Sequence, residues 1–289
     1  MTINEAQQEL IQRLSSIYDK REASNIADMV MENLSGYTKS QRVIYRTTSL
    51  PTEKFQLFEK YIEELEHHKP IQYVLNETWF SGMKFYVDEN VLIPRPETEE
   101  LVNWVIEEIH SAESIGWSGR LIILDVGTGS GCIPISIKKA IPKAEVWGCD
   151  VSDQALNVAR INAATLNHVV DFQGLDFLDH IQRNQLPNVN ILVSNPPYVP
   201  EKDKASMQPN VVQYEPHLAL FVPNNDPLIF YRALADFGHQ HMNKDGIIFV
   251  EIHEDLAAPL NDLFTTSGYS RIEVRRDLQG KERMMKVQW

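Results

Sequence analysis

The sequence offers little sulfur chemistry. Its two cysteines, Cys132 and Cys149, lie in apolar stretches, and neither has the spacing of a zinc site or a disulfide framework. They read as small buried side chains, and no metal is expected. No stretch approaches the roughly 20 consecutive apolar residues that a membrane-crossing helix needs. The opening MTINEAQQEL is polar and acidic and does not lead a basic segment into an apolar run. A soluble, cytoplasmic protein with no membrane partner is the expectation. Positive charge is also scarce, with 27 Lys and Arg against 40 Asp and Glu and a net charge of −13. Gripping a nucleic-acid backbone takes clustered Lys and Arg that displace counterions, so no direct nucleic-acid partner is expected. Internal repeats and low-complexity segments are absent too.

What the chain does have is apolar material. With 43% hydrophobic residues in 289, it can build a real core, and the length suits two domains. Residues 1–70 read as a small helical domain. Leu10, Ile11, Leu14, Ile17 and Tyr18 recur at helical spacing, Thr2 with Glu5 has the form of a capping box, and a helix around 23–34 should stop at Gly36. A further helix presents Phe55, Phe58, Ile62 and Leu65 on one face. This region holds nine Lys and Arg against eleven Asp and Glu, so about −11 of the net charge falls on the remainder. Residues 71–93, from IQYVL through TWFSGMKFYV, are rich in aromatic and β-branched residues and suggest a short antiparallel connector. From 94 to 289 the pattern alternates. Strand candidates at 121–126, 144–149, 169–173, 190–194 and 246–252 are separated by helix-length amphipathic segments, which predicts an α/β domain with a mostly parallel, doubly wound sheet. SRIEVRR and RMMKVQW look like two more strands joined by a turn near Gln279-Gly280.

The first candidate site follows strand LIILDV, which runs into Gly127-Thr128-Gly129-Ser130-Gly131. Glycines there let the chain turn sharply and let backbone approach a ligand with no Cβ in the way. A dinucleotide, a nucleoside or a plain tight turn would all fit. Asp150, about twenty residues on at the end of the second strand, narrows this to an adenosine-containing ligand whose ribose hydroxyls it can bind. Capping the next helix is the alternative for Asp150, although Ser152 could do that. The G-x-G-x-G spacing leans away from a pyrophosphate and towards a cofactor with an amino-acid tail. Asp176 and Phe177 follow the third strand, where an adenine edge and face would lie; a surface loop with a core Phe fits them almost as well.

The most informative tetrapeptide is Asn195-Pro196-Pro197-Tyr198, at the end of strand NILVS. Ligands of such sheets bind at the carboxyl ends of the strands, so it should face the same crevice as the glycine turn. An amide or exocyclic amino nitrogen is a poor nucleophile and must be held. The Asn195 oxygen and a backbone carbonyl, that of Pro196, can each accept one N–H, the prolines stiffen the turn, and Tyr198 offers a face for a planar group. With S-adenosylmethionine as an already activated methyl donor, alignment can supply most of the rate without a strong base.

These features together resemble the HemK/PrmC family, the peptide chain release factor glutamine methyltransferases. The resemblance rests on LDVGTGSG with Asp150, on SNPPYV, and on QYVLNETWFSGMKFYVDENVLIPRPETEELV, and it extends to YEPHLALF and DLQGKERMMKV. It covers most of residues 71–289. It implies a Rossmann-like class I methyltransferase domain over 94–289, using S-adenosylmethionine and leaving S-adenosylhomocysteine. It further implies that residues 1–70 help dock a class I release factor whose Gly-Gly-Gln glutamine is methylated on N5. Arg95, between Pro94 and Pro96, is either a cation held on a rigid extended segment or a domain-linking salt bridge. Glu97, Glu99 and Glu100 suit the start of the next helix through its dipole. Asn76 and Pro227 stand where glycine is expected in the family, which bears on local loop shape. N-P-P-Y is shared with adenine-N6 DNA methyltransferases, which leaves a nucleic-acid amino group as the alternative acceptor, but no basic groove or target-recognition region is visible. A non-catalytic adapter would have no use for the Asn195 acceptor.

Overall fold

In the computed structural model, which describes residues 1–114 and 119–289, the Thr2 hydroxyl accepts the Glu5 N–H at 3.2 Å and the Glu5 carboxylate accepts the Thr2 N–H at 2.7 Å. This closed capping box starts α1 (Ile3–Leu14). The N–H groups of Arg21 and Glu22 point to the Asp19 carboxylate at the start of α2 (Lys20–Ser35), which stops at Gly36 in the left-handed conformation, φ 70°. α3 (Lys39–Ile44), α4 (Phe55–Glu66) and α5 (Ile71–Leu75) follow. Leu10, Leu14, Val30, Met31, Phe58 and Ile62 fill the shared core of these helices and are almost wholly buried. Each such side chain contributes about 1.5–3 kcal/mol relative to exposure.

IQYVL, expected to belong to an extended connector, is helical. Tyr73 and Val74 donate to the Pro70 carbonyl at 2.9 and 3.0 Å, and Val74 and Leu75 join the helical core, so burial overrides the β-branched composition. The helix ends at Asn76 with φ 54°, a conformation that asparagine tolerates better than most residues other than glycine. That is the physical reason asparagine can stand where glycine is expected.

The described chain divides into two compact units, one of residues 1–77 with 208–214 and one of 78–207 with 215–289. The second opens with the hairpin β1 (Thr78–Phe80) and β2 (Met83–Phe85), the antiparallel part of the expected connector. Then come α6 (Pro96–Ser114), β3 (Ile122–Val126), α7 (Cys132–Ala140), β4 (Glu145–Asp150), α8 (Asp153–Thr165), β5 (Asp171–Gly174), α9 (His180–Arg183), β6 (Val189–Ser194) and β7 (Val199–Pro200). The chain next supplies α10 (Pro209–Tyr214) to the first unit, where the Tyr214 hydroxyl donates to the His67 carbonyl at 2.7 Å. It resumes the second unit with β8 (Phe221–Val222), α11 (Ile229–His241), β9 (Met242–Glu251), α12 (Ala257–Thr266), β10 (Arg271–Arg276) and β11 (Glu282–Gln288).

Seven strands form one sheet in the order β10-β11-β9-β6-β3-β4-β5. The five from β9 to β5 are parallel, and β11 and β10 add an antiparallel edge. Alternate residues reach opposite faces. Ile123, Ile191, Val193 and Phe249 pack with α6 and α7, while Leu124, Leu192, Ile248 and Val250 pack with α11 and α12. Both faces are covered, as the continuous apolar strand sequences require. Strand order reverses between β3 and β6, which opens a crevice at their carboxyl ends.

Candidate active site

A cavity of about 290 Å³ occupies that crevice and lies within the second unit. One side begins where β3 ends. Gly127, Gly129 and Gly131 have φ of 73°, 51° and 78°, in the left-handed region that side-chain-bearing residues rarely adopt. The Gly127 and Thr128 N–H groups both donate to the Cys149 carbonyl, which folds the loop onto the end of β4. A side chain built on Gly127 or Gly129 would meet nothing within 4 Å, so their backbone faces open space, and both line the cavity. Asn162 supports the loop from behind, its Nδ2 donating to the Ser130 carbonyl at 2.9 Å.

Asp150 closes this half. Its Oδ2 accepts the Gly129 N–H and its Oδ1 the Ser152 N–H, each at 2.9 Å. The side-chain cap of α8 is Ser152, whose hydroxyl accepts the Ala155 N–H, so the capping alternative for Asp150 does not hold. Burial raises the Asp150 carboxyl above its ordinary range, against the pull of these amides. Asp176 and Phe177 also line the cavity. Phe177 belongs to the core as well, with its ring 5.4 Å from that of Phe237. Thr128, Ser130 and Gly131 shape the loop without lining the cavity: the Thr128 hydroxyl packs against Gly148, and Gly131 sits over Ala159.

The other half begins where β6 ends. Asn195, Pro196 and Pro197 line the cavity, while Tyr198, expected to offer it a flat face, does not line it and packs against the core that holds Tyr231 and Val250. The Asn195 Nδ2 donates to Thr98 Oγ1 at 3.1 Å, the Thr98 hydroxyl donates to Glu251 Oε2 at 2.7 Å, and the Tyr198 hydroxyl reaches Glu251 Oε1 at 3.4 Å. Glu251 ends β9 and is buried, which pushes its carboxyl up to about 7 and the Tyr198 phenol above its usual range. Ser194, also buried, ties β6 to β3 through the Val126 carbonyl at 2.7 Å.

Arg95 is resolved as an ion pair. Its Nη2 lies 2.6 Å from Glu215 Oε1, Glu215 is buried, and Glu215 Oε2 accepts the Ile93 N–H at 3.3 Å. The pair lies inside the second unit and fixes the segment before α6. Glu97 and Glu99 stand in the first turn of α6, as the dipole argument expects. Sequence reasoning gave no role to Thr98 or Glu251. The one signal for Glu251 was a carboxylate closing an otherwise apolar strand.

Family models described as "Methyltransferase small domain" and "PrmC N-terminal domain" match residues 114–214 and 5–75. Over 288 residues the chain is 39% identical to a release factor glutamine methyltransferase of Flavobacterium psychrophilum, with 99% of each chain covered. The chain belongs to the release factor glutamine methyltransferase family. Another such methyltransferase, of Bacteroides thetaiotaomicron, is 36% identical over 276 residues, with 95% of each covered. A solved structure described as "Crystal structure of hMettl16 catalytic domain in complex with MAT2A 3'UTR hairpin 6" matches with a TM-score of 0.56 at 15% identity, covering 83% of each chain. That likeness concerns the fold alone. The family resemblance, the fold class and the methyltransferase activity expected from the sequence therefore hold. The nucleic-acid alternative is not favoured, because these full-length relatives are glutamine methyltransferases. Among the described residues no helix is long and apolar enough to cross a membrane.

Proposed function

We propose that this release factor glutamine methyltransferase uses S-adenosylmethionine to methylate N5 of the glutamine in the Gly-Gly-Gln loop of class I peptide chain release factors. The observation that carries the reading is the meeting, in one cavity, of the glycine turn and Asp150 with Asn195-Pro196-Pro197. The names of the full-length relatives support the release factor as partner.

The residues present fit the cofactor. Gly127 and Gly129 leave the approach to the backbone open, Asp150 keeps acceptor capacity for ribose hydroxyls beyond its two amide bonds, and Asp176 and Phe177 offer a carboxylate and an aromatic wall for adenine. When bound, the cofactor supplies a methyl group on a sulfonium, already activated for transfer. Asn195 Oδ1 and the Pro196 carbonyl accept the two N–H bonds of the glutamine amide and aim the nitrogen lone pair, while Tyr198 stiffens the wall behind them. Cys132 and Cys149 are buried with thiols pushed up, the first to about 12, so neither acts as nucleophile. The helical unit, residues 1–77 with 208–214, docks the protein substrate, and the second unit performs the transfer.

The test is to incubate the full chain with labelled S-adenosylmethionine, a purified release factor and, separately, DNA and RNA, and to map the methyl by mass spectrometry. The expected product is the singly methylated glutamine of Gly-Gly-Gln. Methyl on another residue, or on nucleic acid alone, would remove this reading.

A further inference from the structure

We infer that Thr98 and Glu251 are positioning residues that fix which end of the Asn195 amide faces the methyl acceptor, an inference that rests on the reading of Asn195 given above. A side-chain amide has two ends of nearly the same shape and opposite hydrogen-bonding character, and only the oxygen can accept an N–H from the glutamine. If Asn195 presented its NH2 group, donor would meet donor. Something must choose.

Donor counting makes the choice. A threonine hydroxyl carries one proton and lone pairs. Thr98 gives its proton to Glu251 Oε2 at 2.7 Å, and an ionised carboxylate has none to give back. Only acceptor capacity is left for Asn195, so Nδ2 must face Thr98, which it does at 3.1 Å, and Oδ1 is left for the cavity that Asn195 lines. The second Glu251 oxygen takes the Tyr198 hydroxyl, and the Tyr231 hydroxyl holds the Glu251 carbonyl at 2.9 Å. One carboxylate thereby orients two residues of the tetrapeptide from an element distant in sequence. Burying that carboxylate is expensive, and apolar neighbours at Ile248 and Val250 show what the strand would otherwise contain.

The chain of bonds is also reversible. A protonated Glu251 can donate to Thr98, which frees the Thr98 proton for Asn195 Oδ1 and turns the NH2 group towards the substrate. The charged and titratable groups around Glu251 are Glu97 and Arg283, which oppose and favour its charge, and Tyr198 and Tyr231; His253 lies beside Tyr198, with ring centroids 5.9 Å apart. Turnover should therefore fall on the acid side of neutrality.

The test uses the full chain with S-adenosylmethionine and intact release factor. Thr98→Val keeps the shape and removes the hydroxyl. Its kcat should fall about 10- to 100-fold with cofactor affinity and release factor KM within about threefold, and Thr98→Ser should recover most of the loss. The acid limb of kcat should persist in Thr98→Ser and in His253→Gln and vanish in Thr98→Val. A Thr98→Val enzyme with kcat within about twofold of wild type overturns the inference. So does a loss that serine does not restore and that tracks cofactor affinity and melting temperature. If the wild-type chain transfers nothing to the release factor, the functional reading has failed by itself. The inference is then judged on the Asn195 side-chain NH2 signals in nitrogen-15 spectra, assigned by their absence in Asn195→Asp. Slow exchange at about pH 8 that is lost in Thr98→Val upholds it, and signals unaffected by Thr98→Val reject it.

Discussion

The two halves of the cavity are built from different materials. The glycine half is held by backbone: three residues with positive φ, two N–H groups on the Cys149 carbonyl, and Asp150 bridging Gly129 and Ser152. The acceptor half is held by side chains, with Asn195, Thr98, Glu251 and Tyr198 in one chain of hydrogen bonds whose centre, Thr98 to Glu251, is buried. A backbone cradle suits a cofactor with fixed shape, since main-chain groups cannot swing away. A side-chain chain suits a reacting nitrogen, because proton positions decide direction and directions can be tuned.

The sharpest way to break the comparison is Asn195→Ala. Turnover should drop about 100-fold or more while the cofactor dissociation constant stays within a few fold, because only the acceptor half is touched. Loss of cofactor binding with normal turnover at saturation would reverse the assignment of the halves.

Asp150→Ala should weaken cofactor binding by about 1.5–3 kcal/mol through the lost charge-assisted acceptor, with calorimetry as the measurement. Asp150→Asn sharpens the result, since its one oxygen can still hold one loop amide. An unchanged affinity in a folded Asp150→Ala protein would remove the residue from the site.

Each half contains a buried carboxyl, and here the halves should behave alike. Burial pushes Asp125, the next-to-last residue of β3 and two residues before the glycine turn, up to about 7 from 3.8, and Glu251 up to about 7 from 4.5. Unfolded, both release their protons near the ordinary values; folded, they hold them until about 7. Between those limits the folded state binds more protons, so stability falls as pH rises through the window and stays lower above it. Urea unfolding should show on the order of 2 kcal/mol less stability per carboxyl at about pH 8 than at about pH 5.5, and Asp125→Asn should about halve the slope. A midpoint that climbs over that range would contradict the assignment. Asp28, Glu66 and Glu145, held low by their hydrogen-bonded partners, titrate beneath the window.

The smallest effect concerns the acceptor half alone. Removing residues 1–70 should slow methylation of an intact release factor about tenfold and leave a short Gly-Gly-Gln peptide unaffected, since tethering raises the effective concentration of the glutamine only where docking is available. Rates on both substrates, in truncated protein that still folds and binds cofactor, decide it. Equal rates of the truncated and full chains on the intact factor would end the docking idea.

These differences also explain what could be read from the sequence. The glycine turn is local: its residues are adjacent, and their spacing after an apolar strand points to a ligand-binding turn with Asp150 one strand away. The alternating strands were legible for the same reason. Thr98 and Glu251 are 153 residues apart in the chain, and Thr98 and Asn195 are 97 apart, so no local pattern joins them. The helix at Ile71–Leu75 was hidden differently, because five residues of mixed propensity take their conformation from the core they enter. Arg95 could be read as important without its partner, since Glu215 is 120 residues away.

The topology of the first unit has a consequence for how the molecule is made. Its first piece ends at residue 77, yet α10 comes from residues 208–214, after most of the parallel sheet has been written. Ribosomal synthesis at roughly 5–20 residues per second puts on the order of ten seconds between the two pieces. During that interval the nascent helical unit lacks its last segment, and the residues looped out between the two pieces must gather into a sheet of their own. The entropy of closing such a loop grows only slowly with its length, so the delay is kinetic far more than energetic. The amino-terminal helices are therefore among the first parts of the chain to be made, yet their unit is completed only after four of the five parallel strands have been written.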